Sequence, residues 1–191
     1  MTTDQRPLRA DAQRNLDRIC ASARALFAER GTRAQMEDIA AHAGVGIGTL
    51  YRRFPTKEAL MTSLVRERFA EFAVIAAQCE TIEDPYDALS TMMRRHAEST
   101  EGDAAFQLAM MNINSFSWEG IEEDKSVLNA IVTRVIKRAK SAKRIRTDLK
   151  VDDYGMIMCG ITATMYFMHD VGGGDAWRRH LAFILDGLKP A

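Results

Sequence analysis

Glycines and cations are concentrated in one segment of the chain, AGVGIGTLYRRFPTKEAL, which spans residues 43–60. Glycines at every second position allow a backbone to approach a phosphate closely. The guanidinium groups of Arg52 and Arg53 are suited to binding phosphates or the edges of guanine bases. The segment is therefore compatible with a phosphate-binding loop, a joint between two helices, or a surface that reads a nucleic acid.

The glycines alone give little support to nucleotide binding. The run Gly44-Val-Gly46-Ile-Gly48 is similar to the start of a dinucleotide-binding fingerprint, which requires a preceding β-strand. The residues that precede it, MEDIAAHA, have helical periodicity instead, and the chain contains no G-x-x-x-x-G-K-[ST] motif. A phosphate-binding loop is therefore disfavoured.

The residues after the glycines have the spacing of a short amphipathic helix. At about 100° per residue, Ile47, Leu50 and Phe54 fall within about 60° of one another, so we expect them to point inward. The opposite face carries Gly48, Thr49, Arg52 and Arg53, with Tyr51 at the margin of the apolar stripe. This small, hydroxylated and cationic face suits the major groove of DNA. Periodicity alone leaves open the alternative that the face is simply solvated.

The elements around this helix are predicted to be helices as well. Apolar residues over 16–27 follow the i, i+3, i+4, i+7 pattern, and Gly31 is placed to end this first helix. A second, shorter helix carries MEDIAAHA and is joined through a glycine turn to the helix that begins at Ile47. This arrangement is typical of a helix-turn-helix unit whose second helix reads DNA. Arg6 and Arg9, which precede the first stripe, are compatible with an arm in the minor groove of DNA, but a disordered tail is expected.

The whole chain is predicted to be all-α, with about nine helices, because apolar residues recur at helical spacing and no alternating β pattern is present. A long fourth helix opens at Thr56. Later helices are predicted to begin near Asp84, Asp103, Asp124, Asp152 and Asp175. We expect a helix-turn-helix DNA-binding domain over residues 1–60 and a second domain over residues 61–191.

Composition and motifs disfavour several other classes of protein. The chain has 26 basic and 26 acidic residues, and its first 60 residues contain ten basic and seven acidic ones. Three widely spaced cysteines and the lack of a secretion signal predict a reduced, cytoplasmic protein. The apolar run over 156–168 is too short to span a membrane. The four histidines are scattered and no H-E-x-x-H or G-x-S-x-G motif is present, so no enzyme, metal or cofactor is expected.

The segment 43–60 closely resembles the recognition segment of the TetR (tetracycline-repressor) family of transcriptional regulators. The likeness extends from Arg14 to Leu64 and includes ALFAERG and MEDIAAHAGV. It implies a protein that binds double-stranded DNA, with Lys57 on a phosphate. The positions assigned to DNA contact are Gln35, Gly46, Gly48, Thr49, Tyr51, Arg52, Arg53 and Lys57. The chain departs from many relatives at Gly46 and near Gln35, where they carry a small hydroxylated residue.

The second domain is rich in methionine and aromatic residues, which adapt to varied apolar partners. From the residues alone, such stripes are compatible with an ordinary core as well as with a ligand cavity. The family resemblance implies a pocket for a small-molecule effector among the middle helices. The candidate pocket residues are Met92, His96, Phe106, Met110, Phe116, Trp118, Met158 and Tyr166.

The last two predicted helices combine small residues on one with an apolar stripe on the other, which allows close helix packing. Packing within one chain explains this pattern, whereas the resemblance, extended by RIRTDLKVDDYG, implies a four-helix bundle with a second copy. The candidate dimer residues are Gly155, Gly160, Ala163, Trp177, Leu181, Ile184, Leu185 and Leu188.

Together these features predict a homodimeric repressor that binds a palindromic operator and is released by a small apolar or amphipathic ligand. The alternative is a helical small-molecule-binding or protein-interaction module without specific DNA binding.

Overall fold

The computed structural model describes residues 6–111, 120–168 and 174–190, with side chains described from residue 11 onward. Within these ranges the chain forms nine α-helices, one short 3-10 helix at Gly31–Arg33 and no β-strand, as the all-α prediction requires. The helices are α1 (Arg6–Arg30), α2 (Met36–Ala43), α3 (Ile47–Arg53), α4 (Lys57–Glu80), α5 (Pro85–Thr100), α6 (Ala104–Met111), α7 (Glu122–Ser141), α8 (Val151–Phe167) and α9 (Ala176–Gly187).

Local sequence signals account for several helix ends. Gly44 has a φ of 63° and ends α2, because a residue without a Cβ enters the left-handed region without strain. The hydroxyl of Thr56 accepts a hydrogen bond from the backbone N–H of Ala59 at 3.1 Å and caps α4. The carboxylate of Asp84 accepts from two backbone N–H groups in the first turn of α5. The predicted starts of α4 at Thr56 and of α5 near Asp84 are therefore confirmed.

The start of α1 differs from the prediction. Its backbone is helical from Arg6 onward and includes Arg9, so the expectation of a disordered tail is wrong for these residues. Pro7 does not prevent this, because proline is tolerated in the first turn of a helix, where its missing N–H has no intrahelical partner.

Two clusters of buried apolar side chains organise the fold. The N-terminal core lies between α1, α2, α3 and the first turns of α4, and the C-terminal core lies among α4 to α9. Burial of this apolar surface is the main stabilising contribution to the helices, which on their own are marginal in water. No helix in the described ranges is long and apolar enough to cross a membrane.

Helix α4 belongs to both cores. Leu60 and Leu64 pack in the N-terminal core, whereas Val65 and Phe72 pack in the C-terminal core. The predicted domain boundary at residue 60 therefore falls inside a continuous helix, and it stays a prediction.

Helix α6 is a second bridge between the cores. Ala105 and Leu108 pack in the N-terminal core, and Phe106 and Met110 pack in the C-terminal core. The start of α6 is tied to α4 by an ion pair between Asp103 and Arg68, whose side chains are only 8% and 12% exposed. A displacement of α6 would therefore be transmitted to both cores.

Candidate functional site

The short helix α3 is held against the N-terminal core by two apolar side chains. Leu50 is completely buried and Phe54 is 5% exposed, as predicted. Ile47 is 41% exposed, so the prediction that it points inward is wrong. The reason is geometric: Ile47 is the first residue of a seven-residue helix, and the core contact is centred on Leu50 one turn later.

The opposite side of α3 is presented to solvent. Gly48, Tyr51, Arg52 and Arg53 are exposed, and Thr49 is half-buried. The Tyr51 hydroxyl donates a hydrogen bond to the Glu37 carboxylate at 3.1 Å, which links α3 to α2 and raises the pKa of the tyrosine. The structure therefore brings five of the eight predicted DNA-contacting residues together on one exposed helix.

The two arginines of α3 have no anionic partner among the described residues. Arg52 and Arg53 make no hydrogen bond or ion pair with any described residue. Arg53 lies over the ring of Phe54, with 5.9 Å between guanidinium carbon and ring centroid. Unpaired guanidinium groups keep all of their donors available for phosphates or base edges.

The three remaining predicted contacts flank α3 in different ways. Lys57, at the start of α4, donates to the carbonyl of Thr32 at 2.5 Å, and burial lowers its pKa. Gln35 precedes α2 and donates to the carbonyl of Arg33 at 3.0 Å without capping the helix. Gly46 precedes α3 and has no side chain to cap it. Only Lys57 carries a charge suited to a phosphate.

A groove between α1 and α3 adds two residues that sequence reasoning missed. Gln13 and Asn15 of α1 line this groove together with Thr49, Arg52 and Arg53. No sequence signal pointed to them, since both are ordinary polar residues of α1, Gln13 exposed and Asn15 half-buried. They extend the polar surface beside α3.

A second candidate site is a cavity of about 370 Å³ in the C-terminal core. This volume lies within the range of small-molecule sites, roughly 300–1,000 Å³. The lining comes from α4, α5, α6, α7 and α8 and is mainly apolar. The lining residues are Phe69, Phe72, His96, Thr100, Phe106, Met110, Lys125, Leu128, Asn129, Val151, Asp152, Tyr154, Gly155, Met156, Met158, Cys159 and Thr162.

Three phenylalanines form one wall of the cavity. Phe72 and Phe106 meet edge to face, with ring centroids 5.6 Å apart and an angle of 88° between planes. Phe69 contacts both rings at 5.9 Å and 6.3 Å. These edge-to-face contacts give the cavity an aromatic wall.

A buried polar pair lines the same cavity. His96 is 1% exposed, and its Nε2 is 2.8 Å from the backbone oxygen of Phe72. Its Nδ1 is hydrogen-bonded to the hydroxyl of Tyr154. Burial lowers the pKa of His96 to about 4 and raises the pKa of Tyr154, so both side chains are uncharged at neutral pH.

The predicted pocket residues divide into three groups. The cavity is lined by His96, Phe106, Met110 and Met158. Met92 is completely buried in the C-terminal core and is not a lining residue, and Tyr166 is 39% exposed and lines a separate surface cleft, so the structure does not bring these two to the cavity. Phe116 and Trp118 lie outside the described residues. Sequence reasoning missed Phe69, Phe72 and Tyr154, whose apolar or aromatic character was the only available signal.

The apolar stripe of α9 does not face outward. Trp177, Leu181, Leu185 and Leu188 are at most 5% exposed, because this stripe packs into the chain's own C-terminal core. Packing within one chain accounts for these four residues, and their place in a dimer surface stays a prediction. Among the other residues of the predicted dimer surface, Gly155 is exposed, and Gly160, Ala163 and Ile184 are half-buried.

Large apolar side chains are nevertheless exposed on α8 and α9. Met156 is 65% exposed, Phe167 67% and Phe183 64%. Met156 and Phe167 lie on α8 with the half-buried Gly160 and Ala163 between them in sequence.

The described residues contain no group of three or more histidine, cysteine or acidic side chains arranged to hold a metal ion.

Comparison with known proteins agrees with this architecture. Residues 19–64 match the family described as bacterial regulatory proteins, tetR family. A TetR transcriptional regulator from Streptomyces coelicolor is 29% identical, with 92% of this chain and 99% of that chain covered and a TM-score of 0.63. A TetR transcription regulatory protein from Mycobacterium vanbaalenii is 28% identical, with 96% and 99% covered and a TM-score of 0.64.

A third similar structure, the regulator FadR from Bacillus subtilis in complex with stearoyl-CoA, has 19% identity, 90% and 98% coverage and a TM-score of 0.71. No curated protein matches the chain by sequence. The helix-turn-helix match and the shared all-helical fold define a DNA-binding transcriptional regulator rather than an enzyme. The family match over residues 19–64 and the likeness of nearly the whole chain to these two regulators support a TetR-family transcriptional regulator.

Proposed function

We propose that the protein is a homodimeric repressor that binds a palindromic operator and releases it when a small ligand enters the cavity. The observation that supports the DNA-binding half is the exposed face of α3, whose two arginines pair with no carboxylate of the described residues. The cavity beneath α6 supports the ligand-responsive half. Binding to chromosomal DNA would place the protein in the cytoplasm.

On DNA, α3 enters the major groove, where Arg52 and Arg53 address base edges or phosphates. Gly48 lets the backbone approach the groove, and Thr49 supplies a hydroxyl donor. Tyr51 supplies a second donor once its hydroxyl turns from the Glu37 carboxylate to DNA. Lys57 contributes affinity that does not depend on sequence, once its ammonium turns from the Thr32 carbonyl to a phosphate.

A second copy would pack against the exposed apolar side of α8 and α9, where Met156, Phe167 and Phe183 lie open. A two-fold dimer presents two reading helices to two half-sites, which is why the operator is proposed to be a palindrome. One seven-residue helix reads too few base pairs to specify a site in a genome.

Ligand and DNA would be coupled through the two bridging helices. Phe69 and Phe72 of α4 and Phe106 of α6 line the cavity, while Leu64 of α4 and Leu108 of α6 pack under the DNA-binding helices. A ligand that favours one placement of α4 and α6 would change the spacing of the two reading helices. Its effect is limited to the difference between its affinities for the two conformations.

The test is selection of bound genomic fragments, followed by titration of the selected duplex at several salt concentrations. The proposal expects a palindromic motif and affinity that falls steeply as salt rises, because phosphate contacts release counterions. Failure to enrich any duplex at moderate salt would exclude specific DNA binding and favour the ligand-binding or protein-interaction module. Sedimentation of a monomer at micromolar concentration would exclude the dimer.

A further inference from the structure

The buried polar side chains of the cavity have already used their hydrogen-bond donors. The backbone oxygen of Phe72 can only accept, so the His96 nitrogen beside it, Nε2, carries the proton. The other nitrogen of the neutral ring must then accept, and its donor is the Tyr154 hydroxyl. Tyr154 has no further hydrogen to give, but its oxygen retains a free lone pair.

Two threonines on the lining have also already used their hydroxyl hydrogens. The hydroxyl of Thr100 donates to the carbonyl of Ala97 at 2.8 Å, and the hydroxyl of Thr162 donates to the carbonyl of Met158 at 3.0 Å. Each hydroxyl has one hydrogen and two lone pairs, so each oxygen can still accept. The buried lining therefore presents acceptors without free donors.

Charged lining residues lie toward solvent. Lys125 and Asp152 are exposed and carry opposite charges, while Asn129 and Cys159 are half-buried. A carboxylate in the deep part of the cavity would meet oxygen lone pairs and phenyl rings, which do not replace its water shell. The cavity therefore disfavours an anionic group beside Tyr154.

We propose that the effector is an uncharged aromatic molecule with a hydroxyl group, of the phenol or aryl alcohol class, whose O–H donates to the Tyr154 oxygen. That the ligand regulates DNA binding rests on the proposed function, whereas its chemical class is inferred from the cavity alone. The aromatic body lies against Phe69, Phe72 and Phe106. Its hydroxyl supplies the donor that the buried lining lacks.

The probes are 2-naphthol, naphthalene and 2-naphthoate, which share one ring system. The naphthol carries a hydroxyl donor, naphthalene has no polar group, and the naphthoate carries a negative charge. Binding to the full chain without DNA is measured by calorimetry at pH 7. A hydrogen bond that is net favourable by about 1 kcal/mol predicts roughly fivefold tighter binding of the naphthol than of naphthalene. The naphthoate is expected to bind most weakly. Naphthoate binding as tight as naphthol binding would overturn the proposal without any variant.

Tyr154→Phe tests the atom that accepts the hydroxyl. It keeps the ring and removes the oxygen, so the preference for naphthol should fall to near parity while naphthalene affinity is retained. The matched control is Tyr86→Phe, because the Tyr86 hydroxyl donates to Leu185 outside the cavity. Persistence of the naphthol preference in Tyr154→Phe, with naphthalene binding unchanged, would contradict the assignment.

The same compounds separate the ligand class from the proposed function. Naphthol that binds with the expected preference but leaves the operator complex intact at saturation would support the ligand chemistry and contradict the release step. Release by naphthoate at concentrations where naphthol does not bind would support the release step and contradict the ligand chemistry.

Discussion

The arginines of α3 and those around the C-terminal core differ in whether a carboxylate lies within reach. Arg134 binds Glu80 through two nitrogens at 2.6 and 2.9 Å, and Arg178 binds Glu101 at 2.9 and 2.7 Å. These pairs connect α7 to the end of α4 and α9 to the end of α5. Arg52 and Arg53 have no such partner in the part of the chain that the structure describes.

The difference indicates what each set of charges can do. A guanidinium already bound to two carboxylate oxygens must give them up before it binds a phosphate. The Arg134 guanidinium also lowers the pKa of Glu80, so this pair remains charged well below neutral pH. The free guanidinium groups of α3 are available to an external anion, whereas those of the C-terminal half fix helices to one another.

The largest expected effect concerns the most buried charge of the C-terminal half. Asp103→Ala leaves the Arg68 guanidinium without its buried partner and removes the oxygen that accepts from the Phe106 N–H. We expect a loss of about 3 to 5 kcal/mol in the free energy of unfolding, measured by urea denaturation.

The matched control is Glu71→Ala, which removes the exposed carboxylate that pairs with the same arginine, Arg68. It should cost less than about 1 kcal/mol, because solvent screens an exposed pair. Equal losses in the two variants would show that burial does not decide the contribution of these pairs.

A second prediction concerns acid stability. The pKa of His96 is about 4 in the folded chain against an ordinary 6.5, so between these values the unfolded chain binds more protons. Stability should therefore fall as pH drops from 6.5 towards 4, by about 3 kcal/mol from this residue, since each pH unit contributes about 1.4 kcal/mol. His96→Gln should flatten the dependence in that window. An imidazole titration by NMR that protonates His96 near pH 6.5 in the folded protein would contradict the prediction.

Arg52→Ala tests the comparison directly on DNA. We expect operator affinity to fall by about 1 to 3 kcal/mol, with a shallower salt dependence where a phosphate contact is lost. Fluorescence anisotropy with the selected duplex at several salt concentrations measures both. Arg134→Ala, which removes an arginine already paired, should leave operator affinity unchanged. A similar loss in both variants would mean that net charge, rather than the free face of α3, determines binding.

Sequence was sufficient for features that depend on neighbouring residues. The helical period placed Leu50 and Phe54 inward and Arg52 outward, and Gly44 marked the end of α2 because its conformation is a local property. The family resemblance then supplied the DNA-binding role, which periodicity alone left open.

Sequence was insufficient where distant segments meet. Phe69 and Tyr154 are 85 positions apart yet line one cavity, and helical periodicity does not specify which helices pack together. The α9 stripe was assigned to a second copy although Leu181 packs inside its own chain, because an amphipathic pattern does not distinguish the two partners. Ile47 was misplaced because a short helix contacts the core over less than its full length.

The smallest predicted effect separates stability from DNA approach at a single residue. A Cβ added at Gly48 would meet no atom within 4 Å, so Gly48→Ala should stabilise the protein by about 1 kcal/mol through helix propensity. The same methyl group would stand between the α3 backbone and the major groove and should weaken operator binding. Thermal unfolding and anisotropy on one protein sample measure the two effects. A gain in stability with unchanged operator affinity would mean that α3 does not approach DNA at Gly48, and would leave the free arginines as long-range phosphate contacts instead of readers of bases.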